Sequence, residues 1–175
     1  MHILAISGSL RAGSANTALL HAAAALAPAG VTIELYDGLA QLPYFLPGRY
    51  DEPAPPAVAD FRARLRAADA VLICTPEYVF SMPGVLKNAL EWLVASAELY
   101  HKPTAVWSAS PSASGGAQAH QTVVDTLTVM EAGLVAEAAL QVGQVSAKVS
   151  APATITDEAT TKAVRAAVAA LAAAV

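Results

Sequence analysis

Residues 7 to 17 read Ser7-Gly8-Ser9-Leu10-Arg11-Ala12-Gly13-Ser14-Ala15-Asn16-Thr17, a run of hydroxyls and small side chains with one guanidinium. Such a set suits a phosphate monoester. A tight turn that opens a helix aims successive backbone N–H groups, and the positive helix end, at one anion. The hydroxyls of Ser9, Ser14 and Thr17, the Asn16 amide, the backbone through Ala15 and the Arg11 guanidinium can satisfy a terminal phosphate without a metal. Gly8 and Gly13 have the spacing of a triphosphate-binding loop, but Ser14 stands where that motif requires lysine, so NTP hydrolysis is not expected. Gly8-Ser9-Leu10 also lacks the glycine pair of the dinucleotide fingerprint. A plainer alternative stays open, in which Ser14 or Asn16 only caps a helix.

Other reactive residue types offer less. Cys74 is the single cysteine, so neither an internal disulfide nor a cysteine-based metal cluster can form, and its apolar surroundings mark it as packing. His2, His21, His101 and His120 have no metal-ligand spacing and are expected on surfaces or at helix ends; no metal site is proposed. Arg62, Arg64 and Arg66 are expected on a solvated helix face.

These residues need a frame. Strand-length apolar runs over 2–7, 31–36, 70–75, 103–109 and 134–140 alternate with helical patterns over about 15–27, 55–67, 83–97, 115–131 and 156–173. Strict alternation with continuous apolar strands predicts a parallel sheet covered on both faces, a three-layer α/β/α sandwich. Pro28 and Gly30 close the first helix, Pro103 opens the fourth strand, and Thr156-Asp157 can cap the last helix. Leu86, Leu90, Leu93 and Val94 form a core stripe, whereas Trp92 falls on another face and, exposed, would suit a homodimer. The proline-rich stretch 37–56 exceeds ordinary connections and is a candidate lid or interface loop. In such sheets ligands gather at the carboxyl ends of the strands, which singles out the loops at 7–17, 76–83 and 108–116.

Bulk composition agrees. The 175 residues, 55% hydrophobic and 14% charged, fit one compact domain over 1–175. A net charge of -4 and a pI near 5.5 argue against a nucleic-acid partner. Lacking a long apolar span or a basic leader, the chain is expected to avoid membranes and to be cytoplasmic.

The second loop reads Thr75-Pro76-Glu77-Tyr78-Val79-Phe80-Ser81-Met82-Pro83-Gly84-Val85-Leu86-Lys87-Asn88-Ala89-Leu90-Glu91-Trp92, and the third Ser108-Ala109-Ser110-Pro111-Ser112-Ala113-Ser114-Gly115-Gly116. With the first loop's Gly-Ser-Leu-Arg…Ser…Asn, these three stretches, in order over residues 2 to 140, resemble the signatures of the NADPH-dependent FMN reductase-like family. That family comprises flavodoxin-like quinone, chromate and azo-dye reductases. The resemblance implies a five-stranded parallel sheet of order 2-1-3-4-5. It places FMN against Ser9, Arg11, Ser14, Ala15, Asn16, Thr17, Pro76, Glu77, Tyr78, Val79, Phe80, Ser110, Gly115 and Gly116. Pro76-Glu77-Tyr78 would line the isoalloxazine edge, Tyr78 adding an apolar wall, with Glu77 in a positioning or interface role. The flavin carries the chemistry, so no side chain is assigned as catalytic. Two departures stand out. Val79 occupies a position usually held by asparagine, which removes a side-chain hydrogen bond, and no arginine follows Gly115-Gly116. Lys87, Asn88, Glu91 and Trp92 lie near what is a dimer interface in that family.

The implied activity is hydride transfer from NADPH or NADH to FMN, then two electrons to a quinone, free flavin or similar small-molecule acceptor, by a homodimer or homotetramer. Two alternatives compete: a flavodoxin-like electron carrier, distinguished by its failure to turn over NADPH with a quinone, and an interaction protein that keeps the fold but has lost FMN, distinguished by a colourless protein that takes up no FMN.

Overall fold

A computed structural model describes residues 1–48, 53–150 and 153–175. Four of the expected strands fall on the apolar runs: β1 (His2–Ser7), β2 (Thr32–Tyr36), β3 (Ala70–Thr75) and β4 (Pro103–Ala109). All pair in parallel, in the order β2-β1-β3-β4-β5, with β5 at Gly133–Leu134. All six residues of β3 are buried, as a central strand covered on both faces requires. The helices α1 (Ala15–Leu26), α2 (Pro56–Ala67), α3 (Gly84–Glu91), α4 (Ala117–Val129) and α6 (Glu158–Ala173) complete the sandwich.

Side-chain alternation along the strands divides the core. Ile3, Ala5, Leu72 and Trp107 point to one face and join Leu19, Leu20 of α1 and Val168, Leu171 of α6. Leu4, Ile6, Val71 and Val106 point to the other and meet Phe61 of α2, Leu86 of α3 and Leu127 of α4. Small alanines at positions 18, 22 and 23 of α1 favour the helix and permit its close seat on the sheet.

Several expectations need correction. The strand expected over 134–140 is broken: after β5 the chain makes a 3-10 turn at Ala136–Ala138 and returns to β4 as β6 (Leu140–Val142). The break is occupied by the indole of Trp107, whose Nε1 donates to the Ala138 carbonyl at 2.8 Å. α3 ends at Glu91 rather than continuing to residue 97, and the tighter turns that follow rotate Val94 out of the stripe to 66% exposure while Leu86, Leu90 and Leu93 stay buried. A short α5 (Val145–Lys148) and the antiparallel pair β7 (Val149–Ser150) and β8 (Thr154–Ile155) carry no signal above loop composition. The basic trio of α2 is not simply solvated: Arg62 donates to the Trp92 carbonyl, Arg64 pairs with Asp60 and Glu34, and Arg66 pairs with the buried Glu98 at 2.7 Å.

The stretch 37–56 lies partly outside the described residues, at 49–52. Its first half is fastened to α3. Asn88 accepts from the Phe45 N–H (2.8 Å) and donates to the Pro43 carbonyl (3.0 Å), and the Trp92 indole donates to the same carbonyl (2.8 Å). Phe45 and Trp92 stack edge to face at 5.2 Å. Trp92 is therefore partly buried against its own chain rather than exposed, and Asn88 likewise spends its amide inside the subunit.

Candidate functional site

The three loops meet at the carboxyl ends of β1, β3 and β4. Gly8 lets the first approach the second: a β carbon there would lie 2.9 Å from Thr75 Oγ1 and 3.2 Å from Leu86 Cδ2, and the Gly8 N–H donates to the Cys74 carbonyl. Ser7 and Thr17 hydroxyls pair across the loop at 2.8 Å, and the Arg11 N–H donates to Ser9 Oγ. Ser9, Ser14 and Asn16 are buried, while Arg11 is exposed at the rim.

The start of α1 makes no side-chain cap, as is also true of α2 and α3. Ser14 sits at the N-cap with extended backbone, yet its hydroxyl makes no capping hydrogen bond. Among the described residues no protein group accepts the N–H groups of Ala15, Asn16 or Thr17. Asn16 does not cap either; it lies beneath the loop, accepting from the Cys74 thiol (3.3 Å) and donating to the Ala109 carbonyl (3.2 Å). Burial pushes the Cys74 thiol far up, so it packs and does not react. Three unclaimed backbone donors at the positive end of a helix can donate to an anion with two or more free oxygens.

The second loop is held at both ends by α4. One Glu77 oxygen accepts from the N–H groups of Gln118 (2.9 Å) and Ala119 (3.1 Å), and Met82 N–H donates to Thr122 Oγ1 (3.2 Å). Between these anchors Tyr78 and Ser81 exchange two backbone hydrogen bonds, with Val79 and Phe80 both at positive φ (52° and 59°). That is the geometry of a type I′ turn, whose central positions favour asparagine and glycine. The departure at Val79 thus concerns backbone strain: the side chain is 95% exposed and a β-branched residue bears a left-handed conformation. Tyr78, Val79 and Phe80 present an exposed apolar rim, while Pro76 is buried at its root.

The third loop leans on a segment that sequence reasoning missed. Gln144 N–H donates to Ser112 O and Val145 N–H to Ser110 O, and a β carbon on Gly143 would lie 2.3 Å from the Ala113 carbonyl oxygen. A glycine directly after β6 was the available signal. Ser110, Ser112 and Ser114 link their hydroxyls along the exposed loop. Gly115 and Gly116, at φ +64° and +81°, turn the chain into α4. His120, expected at a surface or helix end, is instead buried, its Nε2 3.1 Å from the Val106 carbonyl, and burial lowers its basicity.

The fold is a flavodoxin-like α/β/α sandwich: a parallel 2-1-3-4-5 sheet whose carboxyl edge carries the uncapped start of α1 beside two close-approach loops. The chain belongs to the NADPH-dependent FMN reductase family, whose model matches residues 1–147. An NAD(P)H-dependent FMN reductase of Pseudomonas aeruginosa is 44% identical over 131 residues, 74% of this chain and 70% of its own length. A quinone reductase of Escherichia coli is 32% identical over 135 residues, 75% of this chain and 72% of its own. Among solved structures, FerB, a flavoenzyme NAD(P)H:(acceptor) oxidoreductase from Paracoccus denitrificans, superposes with a TM-score of 0.87 at 28% identity, covering 97% of this chain and 94% of its own. No helix among the described residues is long and apolar enough to cross a membrane.

Proposed function

We propose that this chain is an FMN-dependent NAD(P)H oxidoreductase, a single flavodoxin-like domain over 1–175. It passes two electrons from NADPH or NADH to a quinone, free flavin or similar small acceptor. The observation that carries this reading is the uncapped start of α1 at the carboxyl end of β1, where among the described residues the N–H groups of Ala15, Asn16 and Thr17 have no protein acceptor. Those donors, the Ser9 and Ser14 hydroxyls and Arg11 would hold the FMN phosphate. Pro76, Glu77, Tyr78, Val79 and Phe80 would flank one side of the flavin ring system, and Ser110, Gly115 and Gly116 the other. When bound, FMN supplies the site that accepts the hydride and releases two electrons. The chain's own part is to seat the phosphate, orient the ring and keep an apolar rim around it.

Naming of the relatives supports the substrate class: FMN reductase and quinone reductase at 44% and 32% identity. A homodimer or homotetramer is supported by apolar side chains left exposed beside the site, with Leu10 and Tyr44 lining one groove of about 460 Å³. A cytoplasmic setting is compatible with a single cysteine, Cys74, which can form no internal disulfide.

The test is an absorbance spectrum of purified protein before and after adding FMN and removing the excess, followed by anaerobic NADPH. Retained flavin bands that bleach with NADPH, and steady NADPH oxidation once a quinone is added, are the expected result. Protein that retains no flavin overturns the reading, and bleaching without turnover would leave only an electron carrier.

A further inference from the structure

We propose that Glu77 is a positioning residue, a carboxylate that sets the distance between the two loops flanking the flavin by capping a helix to which it does not belong. The inference rests on the reading of this site as an FMN site.

α4 begins without a cap of its own. Its N-cap residue is Gly116, which has no side chain and adopts the left-handed conformation at φ +81°. The second and third residues of the helix, Gln118 and Ala119, direct their N–H groups to the Glu77 carboxylate, 41 and 42 positions earlier in the chain. A carboxylate in this place gains from two charge-assisted hydrogen bonds and from the helix dipole. Gly116 lies beside it: a β carbon there would be in van der Waals contact, at 3.5 Å, with the Cβ atoms of both Glu77 and Ser108. The Ser108 hydroxyl is buried and makes no hydrogen bond among the described residues, α4 included.

The contact has leverage because of where its two ends lie. Glu77 is one residue before the turn that projects Tyr78, Val79 and Phe80. Gln118 is two residues after Gly116, where the third loop ends. The hydrogen bonds therefore tie the turn on one side of the flavin ring to the glycine pair on the other. Met82 to Thr122 adds a second tie on the far side of the turn, which leaves Glu77 to control the near side.

Glu77→Gln keeps an acceptor oxygen and side-chain length, Glu77→Asp shortens the reach, and Glu77→Ala removes the contact. Each would be compared with the parent protein in three measurements. These are amide exchange at Gln118 and Ala119 in the apoprotein, FMN affinity by fluorescence quenching, and the visible circular dichroism of bound flavin. The expected result is faster exchange at both amides, FMN affinity weakened roughly tenfold and an altered dichroic band in the Ala and Asp proteins, with Gln recovering most of each. Ala and Asp proteins that show faster exchange or a lower melting temperature but bind FMN with parental affinity and an unchanged dichroic band would overturn the proposal, leaving a cap of structural value alone. Failure of the parent protein to bind FMN is a separate result, which overturns the flavin reading itself and the proposal with it.

Discussion

Three helices of this protein treat the unsatisfied N–H groups of their first turns in three ways. α6 is capped by its own preceding residue: Asp157 accepts from the Thr160 N–H (2.7 Å) and hydroxyl (2.6 Å), which hold its carboxyl below the usual range. α4 is capped from a distance by Glu77. α1 starts at a serine that leaves the first-turn donors open. α4 and α1 both start at the carboxyl edge of the sheet, so the difference between them is a difference in use. Where the donors are consumed internally the helix fixes loops; where they are left open, as at α1, they stay available to a ligand, which under the proposed function is the FMN phosphate.

Making α1 resemble α6 would break this division most severely. Ser14→Asp places a carboxylate at a position with N-cap backbone geometry, where it would take the donors itself and repel a phosphate. Titration with FMN should show affinity reduced about 100-fold or more, from the loss of charge-assisted hydrogen bonds each worth about 1.5–3 kcal/mol, while the apoprotein melts higher. The reverse change at α6, Asp157→Ala, should lower the melting temperature and leave FMN affinity where it was, because that helix start lies in no site. Calorimetry and the same titration check both halves.

A smaller effect sharpens the contrast between the anchored ends of the second loop and its strained tip. Val79→Asn puts a residue tolerant of the left-handed conformation at φ 52°, and chemical denaturation should show a gain of about 1 kcal/mol. The smallest effect concerns the inside of α4. Burial depresses the His120 pKa below that of the unfolded chain, so the unfolded state takes up the proton first. Its contribution to stability is present above the usual histidine value of about 6.5 and is lost as pH falls below it toward the depressed folded value. Melting temperature should therefore fall on acidification through this window, and His120→Gln should flatten that slope.

The three ways of capping also show how far the sequence could be read. Thr156-Asp157 was legible as a cap because donor and acceptor lie within one turn of each other. Four of the strands and the three loops were legible through local apolar runs and motifs, and the strand order through the family resemblance. Glu77 was assigned a positioning or interface role, but its partners are 41 and 42 positions away, and only the folded chain brings them together. The same holds for Asn88 and Trp92, whose contacts with Pro43 and Phe45 cross from α3 to a proline-rich loop. It holds too for the divided edge strand, where the Trp107 indole satisfies a carbonyl that a continuous strand would have used. Ser14 left two readings open in the sequence, a helix cap or a phosphate ligand, and in the fold its hydroxyl does not cap.

The most direct test compares FMN with riboflavin, which shares its ring system and lacks the phosphate. If the open donors of α1 and Arg11 seat that phosphate, the apoprotein should bind FMN at least about 100-fold more tightly than riboflavin. The advantage should shrink toward nothing in the Ser14→Asp protein. Equal affinity of the parent protein for the two flavins would contradict the account, because the donors at Ala15, Asn16 and Thr17 would then hold no phosphate.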